Sequence, residues 1–235
     1  MVTRLYDVVV AAADPAALGR FWSALLDRPI TAETADEVDV AVADGLELVF
    51  VPVADPKVTK NRVHLDLASA SLDEQAAIVA RAESLGARQV DLGQRGVPWV
   101  VLGDPEGNEF CALEPRPEYS ATGPVAAIVV DVADTIAQAA FWSEATGLPV
   151  VNNTAEFASL RAETGPWLEF LHSDDPKRVK NRIHLDVVPA SDGDRAVEVA
   201  RLVALGATPI DVGQGDEWSV LADPEDQEFC VLSPR

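Results

Sequence analysis

The apolar positions along the first half of the chain fall into short runs and two helical stripes. Leu5 to Ala11 is a valine-rich apolar run that predicts a strand. Asp14 then reads as a helix N-cap with Pro15 at the first helical position. Leu18, Phe21, Trp22 and Leu25 follow at i, i+3, i+4 and i+7, the stripe of a helix with one buried face. Residues 38–42 and 46–51 predict two more strands, and residues 63–67 a fourth. In that fourth strand alternation points Val63, Leu65 and Leu67 one way and Arg62, His64 and Asp66 the other. Ser71-Leu72-Asp73-Glu74 is a capping box that opens a second helix, which ends at Gly86. Residues 99–102 and 109–113 predict the last two strands, joined by the turn Asp104-Pro105-Glu106-Gly107.

The same pattern then repeats. Lys60-Asn61-Arg62-Val63-His64-Leu65-Asp66 returns as Lys180-Asn181-Arg182-Ile183-His184-Leu185-Asp186, a shift of 120 residues. Phe21-Trp22 and Phe141-Trp142, and Asp55-Pro56-Lys57 and Asp175-Pro176-Lys177, keep that shift. Asp104-Pro105-Glu106 and Asp223-Pro224-Glu225 are 119 apart, as are Glu109-Phe110-Cys111 and Glu228-Phe229-Cys230, which places a one-residue slip in the loop before Trp99 and Trp218. Internal repetition on this scale sets the architecture. Residues 1–116 form one copy, 117–123 a turn-rich linker and 124–235 a second copy. Each copy runs strand, helix, then two or three strands, twice, so the chain holds four such modules. The two copies are expected to pack as a pseudo-dimer, and a homodimer of chains is a further option.

Charge narrows the choice of partner. With 18 Lys and Arg against 39 Asp and Glu, the formal net charge is −21. That disfavours nucleic acid and anionic membrane, both of which need cations to neutralise them. No apolar run is long enough to span a bilayer, and Met1-Val2-Thr3-Arg4 leads into a strand without a signal-peptide core. Cys111 and Cys230 occupy equivalent places in the copies, so they read as one position duplicated and as free thiols in a reducing cytoplasm.

The Asp-Pro-Glu-Gly-Asn-Glu-Phe turn, the Arg-x-His-Leu-Asp strand and the Asp-Pro…Phe-Trp helix resemble the vicinal-oxygen-chelate superfamily. This superfamily includes glyoxalase I, extradiol dioxygenases, fosfomycin-resistance transferases and bleomycin-binding proteins. The resemblance covers both copies nearly end to end and is nearest to the glyoxalase-like subgroup common in high-GC actinobacteria. It implies an α+β fold of tandem glyoxalase-like domains, each of two βαβββ modules forming a curved, eight-stranded half-barrel. It also implies a divalent metal in the concavity, held by a His, a Glu, a second His and a final Glu, a mixed set suited to Zn²⁺, Ni²⁺, Mn²⁺ or Fe²⁺. The superfamily hosts enzymes and non-catalytic binders on one scaffold, so the site must decide between them.

Carried over position by position, that ligand set is degraded. His64 and His184 match a His ligand, with the alternative of pocket histidines bonded to Asp66 and Asp186. The final Glu falls on Cys111 and Cys230, poor substitutes in a hard-oxygen site. The first-strand His falls on Asp7 in copy one and on Ala127 in copy two. Glu47 and Glu169 align for the remaining ligand if copy one carries two extra residues in the loop that follows. Copy one thus offers Asp7, Glu47, His64 and Cys111, and copy two offers Glu169, His184 and Cys230. Glu109 and Glu228, two residues before the cysteines, are further carboxylates able to reach inward, and with Glu47 and Glu169 they are the candidates for proton transfer. Trp22 and Trp142 belong to the helical stripe, whereas Trp99 and Trp218 lie on strands at the concavity and can stack on a flat ligand. Arg62 and Arg182 share the histidine's face, to hold an anionic group of a ligand or to pair with Asp66 and Asp186.

The leading expectation is a cytoplasmic protein that binds a small organic molecule in a concave cavity, for detoxification or sequestration, with degenerate metal sites. The rival is a divalent-metal-dependent lyase, isomerase or dioxygenase acting on vicinal oxygens. The sequence leaves open whether each cavity is built within one copy or across both.

Overall fold

The computed structural model describes residues 3–212 and 218–235. The one-residue slip expected before Trp218 therefore lies outside the described residues. Copy one runs β1 (Arg4–Ala12), α1 (Pro15–Leu26), β2 (Ile30–Glu33), β3 (Val38–Ala43), β4 (Leu46–Pro52), then β5 (Val63–Leu67), α2 (Leu72–Ser84), β6 (Arg88–Gln89), β7 (Val100–Gly103) and β8 (Glu109–Ala112). Copy two repeats the order: β9 (Val125–Val132), α3 (Thr135–Thr146), β10 (Val150–Asn153), β11 (Phe157–Leu160), β12 (Trp167–His172), then β13 (Ile183–Val188), α4 (Arg195–Ala204), β14 (Thr208–Ile210), β15 (Ser219–Ala222) and β16 (Glu228–Val231). No helix among the described residues is long and apolar enough to cross a membrane.

The helix ends follow their sequence signals. Asp14 accepts a hydrogen bond from the Ala17 N–H and is followed by Pro15, and Ser71 accepts one from Glu74 N, each satisfying a donor the first turn cannot pair internally. Leu18, Phe21, Trp22 and Leu25 are all buried on α1. Gly19 belongs to the same face, and a Cβ there would come within 2.5 Å of Val38 Cγ1, so the closeness of α1 to β3 requires glycine. Edge strands β2 and β10 are mostly exposed and carry no alternating signal, which is why the sequence pattern does not reveal them.

The strand order decides between cavities within a copy and across copies. Two eight-stranded mixed sheets run β14-β15-β16-β13-β1-β4-β3-β2 and β10-β11-β12-β9-β5-β8-β7-β6. Sheet one thus joins the first module of copy one to the second module of copy two, and sheet two joins the remaining pair. The seams are antiparallel: Val9 faces His184 and Asp7 faces Asp186 across β1 and β13, while His64 faces Val129 and Asp66 faces Ala127 across β5 and β9. Each half-barrel is therefore built across the copies.

Within a copy, the repeated motifs hold the two sheets together. Trp22 on α1 packs edge-on to Phe110 at 5.0 Å, and Trp142 to Phe229 at 5.2 Å. The Trp22 indole N–H donates to Asp104 Oδ2 at 3.2 Å, and Trp142 does the same to Asp223 at 3.1 Å. Glu106 accepts from the N–H groups of Ala13 and Asp14 at 2.8 and 2.9 Å, and Glu225 repeats this with Ala133 and Asp134. The Phe-Trp helix and the Asp-Pro-Glu turn are thus the joint between a copy's modules. The large apolar core runs continuously from one sheet's helix-covered face to the other's.

Candidate functional site

Alternation assigns the concave face of each sheet. On sheet one Val8, Val10, Leu48, Phe50, Leu185 and Phe229 join the core under the helices. The opposite face carries Asp7, Asp39, Glu47, His184, Asp186 and Cys230. On sheet two the corresponding face carries His64, Asp66, Cys111 and Glu169, with Ala127 and Trp167 beside them. The ligand set expected of copy one is divided by this arrangement: Asp7 and Glu47 belong to sheet one, His64 and Cys111 to sheet two. Glu169 and His184 are likewise on different sheets. What converges on sheet one is Asp7 and Glu47 from copy one with His184 and Cys230 from copy two.

The pairing of Glu47 with Glu169 also needs correction. Glu47 lies beside Asp7, and Trp167 lies beside Ala127, so the constant shift of 120 makes Trp167 the counterpart of Glu47. Glu169 lies beside Val129, so its counterpart is Val49, which lies beside Val9. Asp39 opposes Val49, and Ser159 opposes Glu169. The two concavities are thus chemically different. Sheet one has Asp7, Asp39 and Glu47 where sheet two has Ala127, Ser159 and Trp167.

Sheet one is an acidic site. Asp7 is 6 % exposed, and its Oδ1 has no hydrogen-bond partner; the same is true of buried oxygens on Asp39 and Asp186. Burial, then repulsion from Asp186, Glu47 and Asp39, pushes the Asp7 pKa to about 7, opposed by Arg235. Burial and the neighbouring Glu37 and Glu47 raise Asp39 to about 6. His184 Nε2 stands 3.4 Å from Asp186 Oδ1 and 3.5 Å from Cys230 Sγ. Burial and the adjacent Asp186 carboxylate push the Cys230 thiol far up, so it is a thiol. Tyr6, Ile210 and Trp218 are half-buried at the rim of this face.

Sheet two is filled. Tyr119, in the short helical turn Pro117–Tyr119 of the linker, is 6 % exposed and packs with Trp167, Val101, Leu113 and Val129. Its ring meets Trp167 edge-on at 6.3 Å, and its hydroxyl donates to Glu169 Oε1 at 2.9 Å. Burial lifts the Glu169 pKa to about 7, with the Tyr119 hydrogen bond opposing and Asp66 adding to the rise. Trp99 packs at the edge of this cluster, with the Arg116 guanidinium 5.8 Å from its ring. His64 Nε2 is 3.5 Å from Asp66 Oδ1.

Other expected site residues have structural duties. Glu109 takes a salt bridge from Lys57 at 2.7 Å and a hydrogen bond from the Asn61 N–H at 3.0 Å; Glu228 is held the same way by Lys177 and Asn181. Neither is a free proton acceptor in a concavity. Arg62 donates to the carbonyls of Asp131 and Asp175, and Arg182 to those of Ala11 and Asp55, away from Asp66 and Asp186.

A divalent metal fits the two faces unequally. Ligand atoms of His184, Asp186 and Cys230 lie within 4.8 Å of one another, as do those of His64, Asp66 and Cys111. On sheet one Asp7, whose Oδ1 has no hydrogen-bond partner, and Asp186 add hard donors to the imidazole, a set a divalent ion accepts. On sheet two the Cys111 thiol is held protonated as Cys230 is and Asp66 Oδ1 is unpartnered too, but Ala127 supplies nothing where Asp7 stands on sheet one and Glu169 is engaged by Tyr119. That donor set lacks the further hard ligand and fits less well.

Two curved sheets of paired βαβββ modules, with histidine, carboxylate and thiol groups on their concave faces, are the fold of the vicinal-oxygen-chelate superfamily. The chain belongs to the glyoxalase-like domain family, the model of which matches residues 7–113 and 127–232. Among solved structures it is similar to glyoxalase I from Zea mays, with a TM-score of 0.67 and 13 % identity over 99 % of this chain and 92 % of that one. It is also similar to a putative dioxygenase from Bacillus subtilis subsp. subtilis str. 168, with a TM-score of 0.66 and 12 % identity over 99 % of this chain and 86 % of that one. At such identities these likenesses establish the fold. No curated protein gives a significant match to the sequence.

Proposed function

We propose that the concave face of sheet one binds a small organic molecule carrying a positive charge, and that the filled face of sheet two is structural. The observation that carries this is the pair of buried, unpartnered oxygens on Asp7 and Asp39, on one face with Glu47 and with the Asp186 carboxylate that His184 faces at 3.4 Å. Carboxylates held this way await a donor from outside. The half-buried ring of Trp218 at the rim suits an aromatic or cationic group, whereas that of Tyr6 already carries the guanidinium groups of Arg4 at 4.7 Å and Arg235 at 5.4 Å. Such a site supports sequestration of a basic compound, and its repulsion is relieved by occupancy.

Calorimetric titration with benzylamine, benzyl alcohol and benzoate tests the reading on wild type and on Asp7→Asn. Benzylamine is expected to bind most tightly and to lose about tenfold in the variant, the loss of one charge-assisted contact. Equal binding of the three compounds, or an unchanged variant, overturns it.

A second reading, a divalent-metal-dependent lyase, isomerase or dioxygenase, is favoured by the same oxygens together with the His184–Asp186–Cys230 cluster. Asp7, Asp186 and His184 would hold the ion, which supplies Lewis-acid polarisation of two vicinal oxygens when bound. Glu47, beside Asp7 on β4, is the carboxylate placed to hold a proton. Titration of metal-free protein with Zn²⁺, Ni²⁺, Mn²⁺ and Fe²⁺ separates the readings. Stoichiometric sub-micromolar binding that His184→Ala abolishes moves the metal reading to first place.

A further inference from the structure

The two copies of the repeated heptapeptide meet at a cleft that differs in character from either concavity. Residues 53–62 connect β4 of sheet one to β5 of sheet two, and residues 173–182 connect β12 of sheet two to β13 of sheet one. Between these crossovers lies a cleft of about 670 Å³, lined by both. Seven of the chain's 18 Lys and Arg line it, against three of its 39 Asp and Glu. A protein of net charge −21 has gathered its cations here.

Most of these cations are occupied, and the exceptions are on one side. Lys57 and Lys177 are paired with Glu109 and Glu228. Arg62 and Arg182 spend their terminal nitrogens on main-chain carbonyls, Arg182 also on Glu106 at 3.3 Å, and the buried Nε of each has no acceptor. Lys60 is paired with Asp131. Its counterpart Lys180 has no such carboxylate, because the position equivalent to Asp131 on β9 is Ala11 on β1. Val58 in the first crossover, 71 % exposed, is replaced by Arg178 in the second. The side chains of Arg178 and Lys180 are exposed and form no ion pair with a described residue. The cleft thus sets Val58, between paired lysines on one wall, against Arg178 and Lys180, two cations with no ion pair to a described residue, on the other.

We infer that this cleft is a second binding site, for a small amphipathic organic anion: a phosphate monoester or carboxylate whose head group is held by Arg178 and Lys180 while its apolar part rests on Val58. A planar guanidinium matches the oxygens of either head group, and an ammonium adds a point charge. The Arg62 guanidinium, whose hydrogen bonds go to main-chain carbonyls, adds positive potential behind the head group. The ligand class is opposite in charge to that of the sheet-one concavity, so the two sites do not compete.

The test is calorimetric titration with 1-naphthyl phosphate, 1-naphthoate and neutral 1-naphthol. Wild type is expected to bind the phosphate at one site per chain, with affinity falling as salt is raised. Naphthol is expected to bind at least about tenfold more weakly, as expected when charge-assisted contacts are lost. Stronger binding of the phosphate assigns a phosphate ester, and stronger binding of the carboxylate assigns a carboxylate. Arg178→Val with Lys180→Ala restores the apolar character of the first crossover and is expected to lower affinity about tenfold or more. Both positions are exposed, so the double variant is expected to melt within a few degrees of wild type. Val58→Ser removes the apolar support and is expected to weaken binding of the phosphate severalfold. Absence of binding at millimolar probe overturns the inference. So does an affinity unmoved by both sets of substitutions, or an equal loss on removing a distant cation by Arg88→Ala, which would mark an adventitious ion only.

Discussion

Glu169→Gln is the substitution through which burial electrostatics become measurable as stability. Glu169 is 5 % exposed, and burial raises its pKa from 4.5 to about 7. Because the folded pKa exceeds the unfolded one, the native state holds the proton more tightly. The contribution to stability is therefore full below pH 4.5 and is lost as pH rises through 7. At 1.36 kcal/mol per pKa unit the loss is about 3 kcal/mol by pH 8. Glutamine never ionises, and its amide oxygen can accept the Tyr119 hydroxyl hydrogen bond that Glu169 takes at 2.9 Å. The variant should match wild type near pH 4.5 and exceed it by about 3 kcal/mol at pH 8. At roughly 2–4 °C per kcal/mol for a chain of this size, the melting temperature should rise by about 6–12 °C. Differential scanning calorimetry of both proteins at half-unit steps from pH 4.5 to 8 reads it directly. Parallel pH profiles, or a variant less stable at pH 8, would refute the assignment of a proton to Glu169 in the native state.

Asp7→Asn should raise the melting temperature at pH 8 by several degrees, since burial, Asp186 and Glu47 hold Asp7 near pKa 7; unchanged melting would show that its repulsion is already relieved. Affinity of sheet one for benzylamine should rise with pH through 7 in wild type and flatten in that variant, as read by titration at pH 6 and pH 8. Gly19→Ala should cost about 1–3 kcal/mol in urea denaturation, because its Cβ would stand 2.5 Å from Val38 Cγ1 and α1 must move off β3. Leu65→Ala should cost about 2–5 kcal/mol in the same assay, whereas Val58→Ala, at 71 % exposure, should stay within about 0.5 kcal/mol.

Much of this was legible in the sequence, for identifiable reasons. The i, i+3, i+4, i+7 stripe on α1 and the alternation of Val63, Leu65 and Leu67 are local patterns, and local patterns report which face is buried. They do not report which strand lies alongside. β5 buries the same residues whether its seam neighbour is β1 or β9, so the exchange of modules between copies left no trace, and the ligand sets were grouped by copy instead of by sheet. Glu47 and Glu169 show a related limit. A two-residue shift along a strand keeps every side chain on its own face, so alternation cannot choose between the two alignments. Glu109 and Glu228 were misread because their partners, Lys57 and Lys177, sit in crossover loops more than 50 residues away. Tyr119 was missed altogether, although a bulky aromatic in a polar linker, one of two tyrosines in the chain, was the available signal.

The linker accounts for the division of labour between the sheets. Two separate chains associating about a two-fold axis would present two identical concavities, because symmetry forces equivalent positions to be filled alike. Joining the copies in one chain removes that constraint in two ways. Each position can drift alone, so Asp7, Asp39 and Glu47 face Ala127, Ser159 and Trp167 at equivalent places. The connection between copies also occurs once, and it delivers Tyr119 to sheet two only. The two changes reinforce each other. With Ala127 and Trp167 in place of carboxylates, sheet two presents an apolar hollow that the Tyr119 ring fills, and Glu169 is the polar group that receives its hydroxyl. On sheet one the same hollow stays lined with carboxylates whose repulsion is a standing cost, and such a cost persists where occupancy of the site offsets it. The same broken symmetry sets Arg178 against Val58 and frees Lys180 at the cleft between the crossovers. Both candidate binding sites are therefore places where the copies differ most in charge, while the Phe-Trp and Asp-Pro-Glu motifs that they share hold the sheets together.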